Sequence, residues 1–279
     1  MIPAADFCGM KISRLILGDN PVNGHSYITK VHSGKEMMDY YTSERVLKLL
    51  FDAEEYGITT YLALADQFIL RILRQYRNEG GKMNIIFQSY PPVDFGVNLW
   101  QMMECNPVGI YHQGGTFDLF LEEENLEEVH RRLAAIKSAG VKVGICSHVP
   151  EVLIRAEEED WGADFYLGCL YNARRTQRGQ QSGFITGNSK ELEFYPGDPV
   201  FMYEAVRKVS KPCIVFKLFA GGQVFLSSEP EEIPALAEAV YTEVFKNIKD
   251  TDIACVGVFQ KVTNQLKENV DIVKKVLSH

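Results

Sequence analysis

The chain has 279 residues, of which 46% are hydrophobic and 24% are charged, and its net charge is −8. This length and composition are typical of one globular domain, so we predict a single domain over residues 1–279. The negative charge argues against nucleic acids and anionic membranes as partners, because both attract basic surfaces. The sequence holds no apolar run near the roughly 18 residues of a membrane span.

Six cysteines are scattered along the chain without any Cys-x-x-Cys spacing. Such a distribution fits buried thiols in a reducing compartment better than a disulfide framework or a zinc cluster. The first residues also lack the basic and apolar stretches of a secretory signal. We therefore expect a cytoplasmic protein.

Eight short, mostly apolar segments alternate with amphipathic patterns from one end of the chain to the other. The apolar segments are residues 14–18, 59–65, 84–88, 108–112, 141–147, 165–170, 213–217 and 253–258. Helical patterns between or after them include residues 44–55, 126–139, 151–160, 199–210, 233–249 and 265–277. Apolar strands separated by helices predict a parallel sheet, and eight such units predict a closed (β/α)8 barrel, a fold of the α/β class.

Two connections are longer than a barrel needs, residues 21–41 after the first strand and residues 171–197 after the sixth. Loops that follow barrel strands lie at the face where such barrels carry their active sites. Long loops at that face often cover a ligand. We therefore treat both connections as candidate lids.

Six segments together form a pattern whose order and spacing are specific: residues 7–18, 57–68, 137–151, 170–172, 216–222 and 265–269. This pattern resembles the aldo-keto reductases. Residues 57–68 are similar to the second strand of that family, which carries its catalytic Asp and Tyr. The resemblance implies a (β/α)8 barrel with an N-terminal hairpin, a nicotinamide cofactor and hydride transfer by a tetrad of Asp, Tyr, Lys and His.

Three of the four tetrad positions differ from the family. His112 matches the family's His, and Gln88 stands in the place of Lys. Leu62 and Gln67 stand in the places of Asp and Tyr, or Ala63 and Phe68 if the register is shifted by one residue. Carbonyl reduction needs a proton donor for the developing alkoxide, and these replacements supply neither the acid nor the groups that tune it. The departures argue against the family's reaction.

The positions that hold the cofactor in that family are also changed. The family's Ser-Asn pair, Gln, Arg and Lys are replaced by Cys146-Ser147, Gly168, Gln265 and Phe259. Phe216 keeps the aromatic residue on which the family stacks its nicotinamide ring, although apolar packing is the favoured explanation because buried aromatic residues are common. Ser147, Phe216 and Gln260 are thus the candidate cofactor contacts. The cofactor stays undetermined, with NADP as an open alternative.

Nearly every predicted strand ends in a polar side chain, which suits a small polyhydroxylated or carbonyl ligand. The candidate catalytic residues are His112, Lys217, Asp66 and Asp19. The candidate substrate-binding residues are Asn20, His25, Gln88, His148, Asn172, Arg174 and Arg175. The spacing of the Asp and His residues does not support a metal site.

Several of these assignments have a structural alternative. His112 serves as an acid or as a polarising group, or it is a structural histidine bonded to a backbone carbonyl. Lys217 serves as a base or a carbonyl-binding group, or it forms an ion pair with Asp19 or Asp66. Arg174 and Arg175 bind an anionic substrate group or belong to a solvated loop.

The leading hypothesis is a strongly diverged, non-redox enzyme that acts on a small sugar-like or hydroxy-carbonyl metabolite by isomerisation, elimination or aldol-type chemistry. One alternative is an NADP-dependent oxidoreductase with a rearranged proton donor. The other is a ligand-binding module without turnover. The sequence leaves the oligomeric state open.

Overall fold

A closed barrel of parallel strands forms the centre of the molecule. The computed structural model describes residues 1–172 and 194–278. Two hairpin strands, β1 (Ala4–Phe7) and β2 (Met10–Ser13), precede the barrel strands β3 (Leu15–Gly18), β4 (Thr60–Leu64), β5 (Asn84–Gln88), β6 (Gly109–Tyr111), β7 (Lys142–Ser147), β8 (Phe165–Cys169), β9 (Cys213–Phe216) and β10 (Ile253–Gly257). Neighbouring barrel strands follow chain order, and β10 pairs with β3 to close the ring. The predicted (β/α)8 barrel is confirmed.

Helices surround the barrel on its outer side. They are α1 (Gly34–Tyr40), α2 (Ser43–Glu55), α3 (Gln67–Asn78), α4 (Phe95–Met103), α5 (Gly114–Glu122), α6 (Leu126–Ser138), α7 (Pro150–Glu158), α8 (Pro199–Lys208), α9 (Ile233–Asn247) and α10 (Gln265–Val276), with a 3-10 helix at Ala220–Phe225. Many begin at a side chain that accepts a hydrogen bond from the first turn, as Thr42 does for α2 and Asn264 for α10. Such caps satisfy backbone donors that the helix itself leaves without partners.

The strands are buried on both faces, which explains their nearly continuous apolar sequences. Along β3, for example, Ile16 points into the barrel, whereas Leu15 and Leu17 pack against the helices. The interior is filled by Ile16, Leu62, Ile86, Phe165, Leu167, Ile214 and Ile253 together with their neighbours. The barrel is therefore a packed core below its mouth.

The hairpin of β1 and β2 closes the end of the barrel at which the strands begin. Its Phe7 and Ile12 join the interior cluster, and the rings of Phe7 and Phe165 lie 5.2 Å apart. The turn between the strands is Cys8-Gly9, with φ angles of 54° and 82°. Positive φ at both central residues is the geometry that matches the twist of a tight hairpin. The hairpin that the resemblance implied is confirmed.

All six cysteines are free thiols, and only Cys8 is more than slightly exposed. The helices within the described part of the chain are all too short or too polar to cross a membrane. The predicted cytoplasmic location remains a prediction.

Candidate active site

The mouth of the barrel, where the strands end, combines two polar groups that face inward from neighbouring strands. Tyr111 at the end of β6 belongs to the interior cluster, and its hydroxyl donates a hydrogen bond to Gln88 Oε1 on β5 at 3.0 Å. Burial raises the pKa of Tyr111 well above its ordinary value, so the phenol stays protonated. Gln88 therefore lies where it was predicted. Tyr111 was not predicted, although it directly precedes His112 in the sequence.

His112 lies on the opposite side of the strand, beneath the helices. Its ring packs 5.6 Å from Phe95, 6.3 Å from Phe117 and 5.6 Å from Phe120. Nδ1 is 3.2 Å from the Gln113 carbonyl, and Nε2 contacts Arg132. Burial, followed by the Arg132 charge, lowers the pKa of His112 to about 3. This geometry matches the structural alternative and does not support the predicted acid role, because the imidazole does not face the mouth.

His148, after β7, is held by a buried carboxylate. Its Nδ1 lies 2.8 Å from Asp118 Oδ2 on α5, and its backbone N–H donates to the same oxygen at 3.1 Å. The Ser147 hydroxyl donates to Asp118 Oδ1 at 2.6 Å. Because a carboxylate only accepts, Nδ1 carries the proton and Nε2 is the basic nitrogen. This arrangement fixes the tautomer and the orientation of the ring.

Lys217 follows β9 in a left-handed backbone conformation, with φ of 61°. Its Nζ lies over three aromatic rings, 4.6 Å from the centroid of Tyr27, 5.3 Å from Phe194 and 6.0 Å from Phe216. No carboxylate of residues 1–172 or 194–278 forms an ion pair with it. Its predicted alternative role, an ion pair with one of the two aspartates near the mouth, is therefore absent from this geometry.

The charge state of Lys217 follows from its surroundings. Burial lowers the pKa of Lys217, whereas Tyr27, Cys169 and Cys146 raise it, and the balance lies above the ordinary value. Lys217 is therefore an ammonium group at neutral pH. A cation that rests on aromatic rings is stabilised by the negative faces of those rings.

Asp19 and Asp66 lie just after the neighbouring strands β3 and β4. Asp19 accepts hydrogen bonds from the Leu64 backbone N–H and from Asn23 Nδ2, the latter at 2.8 Å. Burial raises the pKa of Asp19 to about 7 in spite of these bonds, and Asp66 adds to the shift. Asp66 caps α3 by accepting from the Ile69 N–H at 2.8 Å, which is a structural role.

The remaining predicted residues are spread over the rim. Asn20 offers its backbone carbonyl to the His25 N–H at 2.8 Å, and the Asn172 N–H donates to Asp198 at 3.2 Å. Gln260 Oε1 accepts from the Leu266 N–H at 3.0 Å and so organises the start of α10. Burial, followed by the Lys217 charge, lowers the pKa of His25 to about 4. Arg174 and Arg175 lie outside the described residues.

Of the candidate cofactor contacts, Ser147 is bonded to Asp118, and Phe216 packs edge-on to the ring of His148, with centroids 6.0 Å apart. The ring of Phe216 therefore neighbours both the imidazole of His148 and the ammonium of Lys217, whose Nζ is 6.0 Å from its centroid. Within the described part of the chain, no three Asp, Glu, His or Cys side chains are placed to share a metal ion.

The first predicted lid, residues 21–41, packs against the segment that follows β9. Gln223 Nε2 donates to the Tyr27 carbonyl at 3.1 Å, and Gln223 Oε1 accepts from the Phe194 N–H at 3.1 Å. A Cβ added to Gly221 would meet Tyr27 at 2.6 Å, so the two segments approach too closely for any other residue there. These contacts hold Tyr27 beneath Lys217. Most of the second predicted lid, residues 171–197, lies outside the described residues.

Comparisons with known proteins identify the fold class of the chain. No family model matches the sequence, and no curated protein matches it. Aldo-keto reductase AKR11C1 from Bacillus halodurans in its holo form superposes with a TM-score of 0.60 at 11% identity, over 98% of this chain and 91% of that one. The class defined by the fold is therefore the (β/α)8 barrel.

Barrels with other activities are similar to this chain as well. A truncated 3-deoxy-D-arabino-heptulosonate 7-phosphate synthase from Thermotoga maritima has a TM-score of 0.56 at 13% identity, over 99% of this chain and 91% of that one. The N-acetylmannosamine-6-phosphate 2-epimerase from Clostridium perfringens has a TM-score of 0.51 at 14% identity, over 95% and 92%. At such identities the similarity shows the fold alone, and the aldo-keto reductases are one family among several neighbours.

Proposed function

We propose that this protein is an enzyme that removes the proton next to the carbonyl group of a small sugar-like or hydroxy-carbonyl metabolite. His148 takes the proton, and Lys217 stabilises the negative charge that develops on the carbonyl oxygen. The observation that carries this proposal is the contact of both side chains with the ring of Phe216 at the barrel mouth. Isomerisation, elimination and aldol-type reactions all begin with this step.

Groups of the chain itself accept the proton and stabilise the charge that forms. As Nε2 of His148 accepts the proton, the electrons of the C–H bond form a carbon–carbon double bond and the carbonyl oxygen becomes an enolate. The Asp118 carboxylate stabilises the imidazolium that forms, since it already accepts the Nδ1 proton. Lys217 donates a hydrogen bond to the enolate oxygen, and the aromatic rings around Nζ reduce the screening of its charge by water.

Lys217 is better suited to charge stabilisation than to imine formation, because its raised pKa leaves little neutral amine at neutral pH. Other groups of the mouth supply contacts for substrate hydroxyls. The polar side chains placed for this role are those of Tyr111, Gln88 and Asp19.

The test is exchange of the α-proton with solvent. Wild-type protein in D₂O is incubated with dihydroxyacetone, glyceraldehyde and pyruvate, and deuterium incorporation is followed by NMR. We expect exchange above the buffer rate with at least one compound, and we expect His148→Gln and Lys217→Met each to reduce it about a hundredfold. Circular dichroism verifies that the variants are folded.

Matched controls replace the same residue types outside the site. His130 lies on α6 near Trp161, and Lys48 lies on α2 beside Asp52. His130→Gln and Lys48→Met should keep the wild-type exchange rate. An absence of exchange across the panel, or full exchange in His148→Gln, would contradict the proposal, and ligand binding without exchange would favour a ligand-binding module.

A second candidate function is an NADP-dependent oxidoreductase whose proton donor has moved to Tyr111. The observation in its favour is an inward phenol hydrogen-bonded to Gln88, the position at which the family has its Lys. Phe216 would then stack on the nicotinamide, in agreement with the family resemblance. The function ranks second because burial raises the pKa of Tyr111 and makes the phenol a weak acid.

A binding measurement with NADPH distinguishes the two candidate functions. An oxidoreductase must change the fluorescence of NADPH on binding and must oxidise it in the presence of an aldehyde. Tyr111→Phe would abolish that oxidation and leave binding intact. Unchanged NADPH fluorescence at saturating protein would exclude this second candidate.

A further inference from the structure

Gln88 and Tyr111 are register partners at the ends of β5 and β6, and together they form a neutral polar pair at the barrel mouth. The Tyr111 hydroxyl donates to Gln88 Oε1 at 3.0 Å, and Gln88 is partly exposed. Within residues 1–172 and 194–278 this is the sole hydrogen bond of either side chain. Gln88 Nε2 and a lone pair of Tyr111 Oη are therefore left for a ligand. If the amide is turned by 180°, Nε2 donates to Oη, and Gln88 Oε1 and the phenolic proton are left instead.

The capacity left in this pair is one donor and one acceptor, and a hydroxyl group matches both. Its oxygen accepts from Nε2, and its proton goes to Oη. The oxygens of a carbonyl, a carboxylate or a phosphate dianion only accept, so each of them would leave Oη facing another lone pair.

The charge around the pair also favours a neutral group. Neither Gln88 nor Tyr111 is charged, because burial raises the pKa of the phenol. The acidic side chain of Asp19 accepts from the backbone N–H of Leu64, which is the register partner of Gln88 on its other side. An anion bound by the pair would therefore have an acidic neighbour and no counter-charge from the pair itself.

The pair lies on the opposite side of the barrel from Lys217. In the closed ring of eight strands, three strands separate β5 from β9 in either direction. A spacing of about 4.8 Å between neighbouring strands makes such a ring about 15 Å across. Lys217 Nζ stays on the β9 side, because it lies 4.6 Å from the ring of Tyr27, which packs against Gly221 in the segment after β9. The oxygen that meets Gln88 is therefore not the carbonyl oxygen at Lys217.

We propose that Gln88 and Tyr111 determine specificity by binding a hydroxyl group of the substrate that is remote from the reacting carbonyl. The preferred substrates are then polyhydroxylated carbonyl compounds, that is, ketoses or aldoses of at least four carbons, over trioses and simple keto acids. This inference rests on the proposed function, because that function places the carbonyl group at Lys217. The pair itself takes no part in the proton transfer.

The test compares D-xylulose with 1-hydroxy-2-pentanone, which has the same carbon chain and carbonyl but lacks the hydroxyls beyond the carbonyl. Isothermal titration calorimetry measures the affinity of the wild type, Gln88→Leu and Tyr111→Phe for both compounds. We expect the wild type to bind xylulose about a hundredfold more tightly, and each variant to lose about a factor of ten of this preference, because one hydroxyl loses its partners. The preference is a ratio of affinities, so it does not depend on the fraction of protein that is folded.

The double variant adds a readout that a structural role would not give. Because one hydroxyl uses both side chains, Gln88→Leu and Tyr111→Phe together should lose little more preference than either one alone. Matched controls replace the same residue types elsewhere. Gln75 on α3 bonds to Glu79, and Tyr56 at the end of α2 contacts Asn264. Gln75→Leu and Tyr56→Phe should keep the wild-type preference.

Three outcomes would overturn the inference: an unchanged preference in both Gln88→Leu and Tyr111→Phe, an equal loss in the controls, or additive losses in the double variant. α-Proton exchange with xylulose is measured separately. If the preference changes as expected but no compound exchanges its proton, the proposed function fails and the hydroxyl site stands. If exchange occurs and the preference is unchanged in the variants, the hydroxyl site fails and the proposed function stands.

Discussion

The carboxyl group of Asp19 is held at the mouth in a setting that opposes its ionisation. Its side chain is 8% exposed, and burial raises its pKa to about 7 from 3.8. The folded state therefore binds a proton that the unfolded state releases near pH 4. This proton favours folding at pH values below about 4, and the benefit is lost as the pH rises through 7.

Asp19→Asn should remove this pH dependence, because the amide oxygen can still accept from the Leu64 N–H and cannot ionise. We expect the wild type to lose about 4 kcal/mol of stability relative to the variant between pH 4 and pH 8, given about 1.4 kcal/mol for each unit of pKa shift. Urea unfolding of both proteins at the two pH values measures the difference. If the free energies of unfolding of the wild type and the variant differed by the same amount at both pH values, Asp19 would have an ordinary pKa.

Asp118 acts through His148 and is expected to position it. Asp118→Asn should reduce the rate of α-proton exchange about tenfold or more, because the imidazolium loses its carboxylate partner. For the same reason, the rise of the exchange rate with pH should move to lower pH values. The pH profile of exchange measures this shift. If Asp118 had a merely structural role, the variant would be less stable, but the pH profile of exchange by the molecules that remain folded would not shift.

The residues of the site were only partly predictable, because the sequence does not reveal which residues of each strand point into the barrel. Strands buried on both faces are apolar at successive positions, so the sequence does not show which residues point inward. In β6 this ambiguity led to the prediction that His112 faces the mouth, whereas Tyr111 is the residue that points inward. Lys217 and Gln88 were found because strand ends face the mouth.

The partner of His148 could not be predicted in this way. Asp118 lies in the middle of α5, and no sequence spacing connects it to the end of β7. Only the packing of that helix on that strand brings the two together. His148 itself was predicted as a substrate contact, and its position as a held imidazole supports a more direct role in the proposal above.

At the scale of elements, the strand boundaries agree with their predictions to within one or two residues. Asn84–Gln88 matches fully, and Phe165–Cys169 differs by one residue. The agreement is close because short apolar runs bounded by polar or glycine residues have few alternatives in a chain of this composition. The predicted lid at residues 21–41 contains α1, whose short amphipathic pattern gave no clear signal.

An aromatic contact is part of the packing by which the hairpin closes the barrel. Phe7 is 1% exposed and packs on Phe165 inside the barrel. We expect Phe7→Ala to reduce the free energy of unfolding by about 3–5 kcal/mol, as other buried Phe-to-Ala replacements do. Urea unfolding measures the loss, with Lys11→Ala on the exposed side of the same hairpin as the control. A loss similar to that of the control would mean that the hairpin does not seal the barrel.

At the scale of the whole molecule, the distribution of thiols reports on the integrity of the fold. Five of the six cysteines are buried, and burial, followed by Asp164, raises the pKa of Cys8 to about 11. Ellman's reagent at pH 8 should therefore label at most one thiol slowly in the native protein, and it should label six in urea. Fast reaction of a second native thiol would show that the barrel opens.

The pairing of β3 with β10 has a consequence for biosynthesis. While the ribosome is still translating the region before Ile253, β3 has only β4 as a neighbour, and its other edge exposes unsatisfied backbone groups. The nascent sheet is an open ribbon for most of its synthesis, vulnerable to pairing with other nascent chains.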